Sequence, residues 1–289
     1  INQLQKAEKR ADIVFVDEAH LLLTKPDTYN NFHGQNQLEE LLKLAKVVVI
    51  IYDQNQVLKL KSLWGAATLT KLEKKSAFTD RYELTNQFRM QANDDVINWI
   101  NHFKHKELKP LPKDEKYDFK VYETLEKMHS EIKSKNSEVG LSRVVSTFDY
   151  LHKKDNQSYY INESNGEYKM PWNTTDSKFT WAEKAETVEE AGSIYTIQGF
   201  DLNYVGVVLG PSVQYDAAND CIVIDTKLYK DTGAYTGVDG IENVNEAKER
   251  IVLNSINILM KRGIKGLYIY ASNEALRNKL LAYQSEQLN

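Results

Sequence analysis

An apolar run closes in two acids, an alanine and a histidine at residues 14–20, Val-Phe-Val-Asp-Glu-Ala-His. Carboxylates such as Asp17 and Glu18 at a strand end can hold a divalent cation, directly or through water. They can also orient or deprotonate an attacking water. A strand that merely reaches solvent would end in charge as well. A second apolar run, Val47 to Ile51, ends the same way in Tyr52-Asp53-Gln54-Asn55-Gln56. Gln56 has the chemistry to bond a terminal phosphate or its attacking water, and the alternative is a polar turn. About 36 residues lie between Asp17 and Asp53, which suits one crossover joining two parallel neighbours. Two adjacent strands would then deliver Asp-Glu and Asp-x-x-Gln to one sheet edge, the edge that faces the ligand crevice in open α/β sheets.

Two arginines could aim a planar cation at a phosphate. Arg89 follows Gln87-Phe88, and Arg262 precedes Gly263 at the expected end of a helix. The plainer readings are a surface ion pair for Arg89 and a favourable helix-terminal charge for Arg262. Gln198-Gly199-Phe200-Asp201 precedes a strong strand, where Gly199 permits close backbone approach. Lys104, Lys106, Lys109 and Lys113 could track a nucleic-acid backbone or belong to a solvated linker. Trp64, Trp99, Trp172 and Trp181 are expected mainly as core, although stacking on bases is open to them. His102 and His105 lack a third ligand nearby in sequence, which argues against zinc.

The elements that must position these groups read as α/β. Asp12 to Val16 is apolar on both faces, as in a parallel sheet covered by helices. Helical spacing puts Leu38, Leu41, Leu42 and Ala45 on one face of 37–46, ahead of the strand 47–51. Arg81 to Thr85 is a third strand candidate, followed by a helix over 93–103. The second half begins with a strand at 119–122 and a helix at 124–134, then a strand at 143–148. A hairpin at 159–172 turns at Asn165-Gly166. A strand at 204–209 and a helix at 245–261 follow, the helix facing inward through Ala247, Ile251, Ile258 and Leu259. Gly263 is expected to cap that helix in the left-handed conformation. A strand at 267–270 and a helix at 274–283 close the chain. The expected domains are a first lobe over 1–103, a linker over 104–117 and a second lobe over 118–289.

Composition narrows the class. The 289 residues are 42% hydrophobic and 27% charged, enough for a sizeable core, and the net charge of -4 excludes a surface basic everywhere. One cysteine, Cys221, suits a reducing compartment, and a cytoplasmic location is expected. No apolar run approaches the ~20 residues of a membrane span. The chain opens at Ile1 and reaches a strand within about a dozen residues, so it is expected to start inside a longer polypeptide, the alternative being a mature protein trimmed of a short leader.

The ordered set of motifs resembles a superfamily 1 helicase. Residues 14–20 resemble motif II, the Walker B element, and 52–56 motif III, with Tyr52 where glycine is usual. Residues 84–89 look like motif IV, 193–201 like motif V and 258–263 like motif VI, with Lys261 where threonine is common. The run from Ile197 to Pro211 and the run from Lys261 to Ala271 are most similar to the Schlafen-group-3-like DNA/RNA helicase family, catalogued as a bacterial domain of unknown function. The resemblance spans Ile13 to Leu280. It implies two RecA-like lobes with mainly parallel sheets that close on ATP and Mg²⁺, the first lobe incomplete at its N-terminus. Asp17 would position the metal and Glu18 would activate water. Gln56, beside Asp53, and Arg89 would sense the γ-phosphate, and Arg262 would serve as an arginine finger. Asp201 would contact the nucleotide sugar. Thr196 and Gln198 would lie where motif V couples the nucleotide to a single-stranded or duplex nucleic acid, DNA in preference to RNA, and Gln198 and Gly199 would join Asp53, Gln56 and Asp201 in binding the nucleotide. The phosphate loop of such P-loop NTPases, G-x-x-x-x-G-K-[ST], does not occur in the sequence. It is expected upstream of motif II, and the isolated chain is expected to hydrolyse ATP negligibly. The alternatives are a switch ATPase that does not unwind and a catalytically dead binding module.

Overall fold

The computed structural model describes residues 10–27, 31–84, 87–153, 155, 157–163, 168–174 and 180–288. By contacts the chain groups into two compact units, 1–86 with 232–251 and 87–231 with 252–289. The cut therefore falls at 86/87, whereas the sequence reading places it across 104–117.

In the first unit, β1 (Ala11–Val16) and β2 (Ala45–Ile50) pair in parallel, from Ala11 opposite Ala45 to Val16 opposite Ile50. The crossover between them contains helix α1 (Gln37–Leu44). Asn36 caps it by accepting from the Glu39 N–H at 2.7 Å, a bond worth about 0.5–2 kcal/mol. Leu38 and Leu41 are buried from α1, and helix α2 (Ala66–Glu73) adds Leu72 beside Trp64. A second cluster joins Val57 and Leu60 to Ala234, Ala247 and Ile251.

Two expectations for this unit are corrected. The strand β1 is not covered on both faces, because Ile13 and Phe15 are 55% and 74% exposed. Residues 81–84 form no strand, with Tyr82 and Leu84 exposed, and Thr85 lies outside the described residues. An apolar pattern alone does not make a strand: its N–H and C=O groups need a neighbour to bond, and 81–84 pair with none of the described residues.

The second unit is built on five parallel strands. Helix α3 (Asp94–Lys104) precedes β3 (Asp118–Val121), helix α4 (Leu125–Val139) and β4 (Ser142–Ser146). The antiparallel pair β5 (Tyr160–Glu163) and β6 (Tyr168–Pro171) is the expected hairpin, and its turn at Asn165-Gly166 lies outside the described residues. Then come β7 (Ala191–Gly192), β8 (Leu202–Leu209), and a second antiparallel pair, β9 (Val213–Asp216) with β10 (Cys221–Ile224). Helix α5 (Val244–Met260) is divided between the units at Ile251, and β11 (Gly263–Ala271) and α6 (Glu274–Leu288) end the chain. The sheet order is β3-β11-β8-β4-β7, every pair parallel. Leu125, Met128 and Ile132 of α4 are fully buried in one core with Val144, Val208 and Tyr268. Helix α6 packs on β3 and β11.

The segment expected as a linker is packed. Leu108, Leu111 and Tyr117 are buried, Glu107 bridges to Cys221, and the Trp99 indole donates to the Lys109 carbonyl at 2.9 Å. Backbone carbonyls of a nominally solvated, lysine-rich run are thus used inside the fold. Gly263 is not a left-handed cap. It is the first residue of β11, opposite Leu202, and a side chain there would collide with the Gly266 carbonyl. The tryptophans Trp64, Trp99, Trp172 and Trp181 are all buried, so they act as core. Among the described residues, no helix is long and apolar enough to cross a membrane.

Candidate functional site

The carboxyl ends of β1 and β2 bring the first group of candidates together. The ladder continues past both strands, with the Ile51 N–H donating to the Val16 carbonyl at 2.9 Å and the Ala19 N–H to the Ile51 carbonyl at 2.8 Å. Between these bonds the chain turns sharply. Glu18 sits in the left-handed region, at φ 52° and ψ 41°. That geometry costs a residue with a Cβ roughly 1–2 kcal/mol, and such strain gathers at functional sites. The Glu18 N–H donates to Asp17 Oδ1 at 2.8 Å, which helps to hold the turn.

His20 completes this cluster, and sequence reasoning gave it no role. It is buried, and its Nε2 lies 3.1 Å from Glu18 Oε2. Burial pushes the imidazole below its ordinary value, while Glu18, Asp53 and Asp17 pull the other way. Burial prevails, so the net shift is downward, towards the neutral ring. The signal was present in the sequence, as a histidine two residues beyond the acid on a turn.

Asp53 Oδ1 accepts from the Asn55 N–H at 2.8 Å, and Oδ2 accepts from Gln56 Nε2 at 3.1 Å. The Gln56 amide is therefore folded onto Asp53. Arg250, also missed, donates to Gln54 at 3.2 Å, and nothing local in the sequence links residues almost two hundred positions apart. Among the described residues, no three His, Cys, Asp or Glu side chains stand together as a metal cage. The set fits Mg²⁺, which keeps several waters and is commonly held by one or two carboxylates plus substrate phosphates. Asp17 is exposed and could provide such a ligand.

The second group lies wholly in the second unit, at the amino ends of β8 and β11. Asp201 immediately precedes β8 and Arg262 immediately precedes β11, and the Leu202 N–H donates to the Arg262 carbonyl at 2.9 Å. Arg262 is buried. Its Nη1 donates to the Phe200 carbonyl at 3.1 Å and lies 3.8 Å from Asp201 Oδ1. Arg89 Nε lies 2.5 Å from the same Oδ1. The Gln87 side chain shapes the turn that presents Arg89: its Oε1 accepts from the N–H groups of Arg89 and Met90 at 2.8 and 2.9 Å. The Gln91 N–H fastens this turn to the Ile264 carbonyl at 2.8 Å. Gly199, at φ +85°, supplies the backbone conformation that ends the turn before Asp201. Gln198 is exposed.

The structure thus brings Asp17, Glu18, Asp53 and Gln56 to one strand-end cluster, and Arg89, Asp201 and Arg262 to another. The surface ion pair considered for Arg89 is present. Its partner is an acid more than a hundred residues away, in the expected motif V. His102 pairs with Glu107 at 2.8 Å.

An all-parallel sheet flanked by helices, preceded by a parallel strand pair with acids at its carboxyl ends, defines an α/β protein of RecA-like type. The chain belongs to the Schlafen group 3, DNA/RNA helicase domain family, whose model matches residues 1–273. It is 40% identical over 306 aligned residues to the uncharacterized protein YPL245W of Saccharomyces cerevisiae, covering 97% of this chain and 67% of that protein.

Proposed function

We propose that the full-length gene product is a nucleic-acid-dependent ATPase of superfamily 1 type, a helicase or translocase, and that this chain carries its hydrolytic acids and its arginines. The observation that carries the reading is the juxtaposition at the ends of β1 and β2: a strained Glu18 with His20 Nε2 3.1 Å from its carboxylate, beside Asp17 and the Asp53–Gln56 pair. Membership of a helicase-domain family supports the same chemistry.

In this mechanism the Glu18 carboxylate accepts a proton from the attacking water. His20, with Nε2 3.1 Å from the carboxylate, would keep it oriented. Gln56, released from Asp53, orients the water, and Asp17 would hold Mg²⁺. ATP·Mg²⁺, when bound, supplies the phosphoryl group under attack and partial neutralisation of its charge. Arg89 and Arg262 would meet charge developing on the γ-phosphoryl oxygens, where one such guanidinium can contribute about 10³–10⁵ in rate.

The test is ATP hydrolysis by the full-length gene product, with and without single-stranded DNA. The reading expects turnover stimulated by the strand and abolished in Glu18→Gln. Wild-type turnover that is unchanged in Glu18→Gln contradicts the role given to Glu18. A protein that binds DNA but neither binds nor hydrolyses ATP would instead be a binding module.

A further inference from the structure

We propose that Asp201 is a parking carboxylate: it holds the guanidinium of Arg89, and through the same oxygen that of Arg262, until the terminal phosphate of a nucleotide takes them over. This rests on the nucleotide reading above and deepens it, since it assigns the site its resting state.

The argument starts from one atom. Asp201 Oδ1 lies 2.5 Å from Arg89 Nε and 3.8 Å from Arg262 Nη1, so two cations from distant parts of the chain converge on a single carboxylate oxygen. Each of the three residues is fixed by its own backbone. Arg89 sits on a turn built by Gln87 and bonded to Ile264, while Asp201 and Arg262 precede neighbouring parallel strands. All three belong to one compact unit. The pairing therefore does not depend on the first unit's acids.

A carboxylate on two guanidiniums has the charge sign and the planar acceptor geometry of a phosphate edge. It also balances charge. Arg262 is buried, and a buried guanidinium left without a nearby anion is costly. Asp201 and Arg89, in contrast, are 42% and 43% exposed at their side chains. The pair is thus open to solvent and weak enough to be exchanged. A terminal phosphate, with more negative charge and three acceptor oxygens, outcompetes a single half-exposed carboxylate for the same donors. The resemblance to helicases gives the equivalent acid a contact to the nucleotide sugar. Here its carboxylate oxygen is already engaged by arginine, so Asp201 is a positioning residue that acts through Arg89 and Arg262.

The experiment uses the full-length gene product as wild type, Asp201→Asn and Asp201→Glu. The first readout is the rate at which phenylglyoxal modifies Arg89, followed by mass spectrometry in the absence of nucleotide. The second is the affinity for inorganic tripolyphosphate, which has the phosphates of ATP and no sugar. Parking expects Asp201→Asn to speed modification of Arg89 severalfold and to tighten tripolyphosphate binding by about three- to tenfold, on the scale of one or two released ion pairs. Asp201→Glu should keep Arg89 shielded. An unchanged rate of Arg89 modification in Asp201→Asn overturns the proposal. So does equal or weaker tripolyphosphate binding by a folded Asp201→Asn protein; weaker ATP binding alongside it would identify a sugar contact instead. Neither readout involves turnover, so a wild-type protein that does not hydrolyse ATP defeats the nucleotide reading separately from this one.

Discussion

Asp149 offers a perturbation whose size can be worked from the structure. It lies just beyond the carboxyl end of β4 and is buried. It accepts from the Ser212 N–H at 3.0 Å and from the Thr147 hydroxyl. Burial is the largest influence and raises its carboxyl from 3.8 to about 6, against the hydrogen bonds and Lys230, which lower it. A carboxyl with a raised folded pKa contributes stability that is complete below its unfolded value and is lost as pH rises through the folded value. The loss for Asp149 therefore falls between 3.8 and about 6. At roughly 1.4 kcal/mol per unit, keeping Asp149 ionised at neutral pH costs about 3 kcal/mol. Asp149→Asn removes this cost while its amide can still accept from Ser212 and donate to Thr147. Urea denaturation of both proteins from about pH 4 to about pH 8 gives the difference in stability at each pH, and titrations shared by both cancel in the difference. Asparagine should gain on wild type by about 3 kcal/mol across that range, with most of the change below about pH 6. A difference that is flat with pH, or that favours aspartate as pH rises, refutes the reasoning.

Two further outcomes follow from buried polar groups in the second unit. Arg143 donates to Thr187, Asn136 and the carbonyls of Ser142, Ala182 and Lys184 with no carboxylate among these partners, so Arg143→Met should cost about 2–5 kcal/mol by leaving buried acceptors unmade, read by urea denaturation; a loss below about 1 kcal/mol contradicts the role. His129 bonds the Tyr168 hydroxyl through Nδ1 and the Val188 carbonyl through Nε2, and burial lowers its pKa, so its stabilisation is complete above its unfolded value of 6.5 and is lost as pH falls below it. His129→Gln should lessen that acid-side loss, leaving the share due to His20, whose pKa is lowered in the same direction.

What could be read in the sequence was the part dictated by local chemistry. Apolar runs ending in acids gave β1 and β2 and their parallel pairing, because β-branched composition and crossover length act over short distances. The inward set Ala247, Ile251, Ile258 and Leu259 is buried as its helical spacing requires. Pairing between distant segments was less accessible. Residues 81–84 have a strand's composition but no described partner, and the lysine-rich run at 104–117 is packed through Leu108, Leu111, Tyr117 and backbone bonds to distant segments, which its overall polarity does not report. The sequence suggests a helix cap at Gly263, whereas its reason is the close Gly266 carbonyl, a contact set by the start of β11. At the site, the acids could be located by motif and spacing. The left-handed Glu18, the His20–Glu18 contact and the shared oxygen of Asp201 depend on geometry across the fold.

The central claim is that Glu18 and Arg262 serve one phosphoryl transfer. It is tested most directly by a double-mutant cycle on strand-stimulated ATP hydrolysis by the full-length gene product, using Glu18→Gln, Arg262→Ala and the double variant. The account expects each single change to lower turnover by about 10³ or more, and the double variant to be little slower than the worse single. Losses that simply multiply, or an Arg262→Ala protein that turns over like wild type, would contradict it.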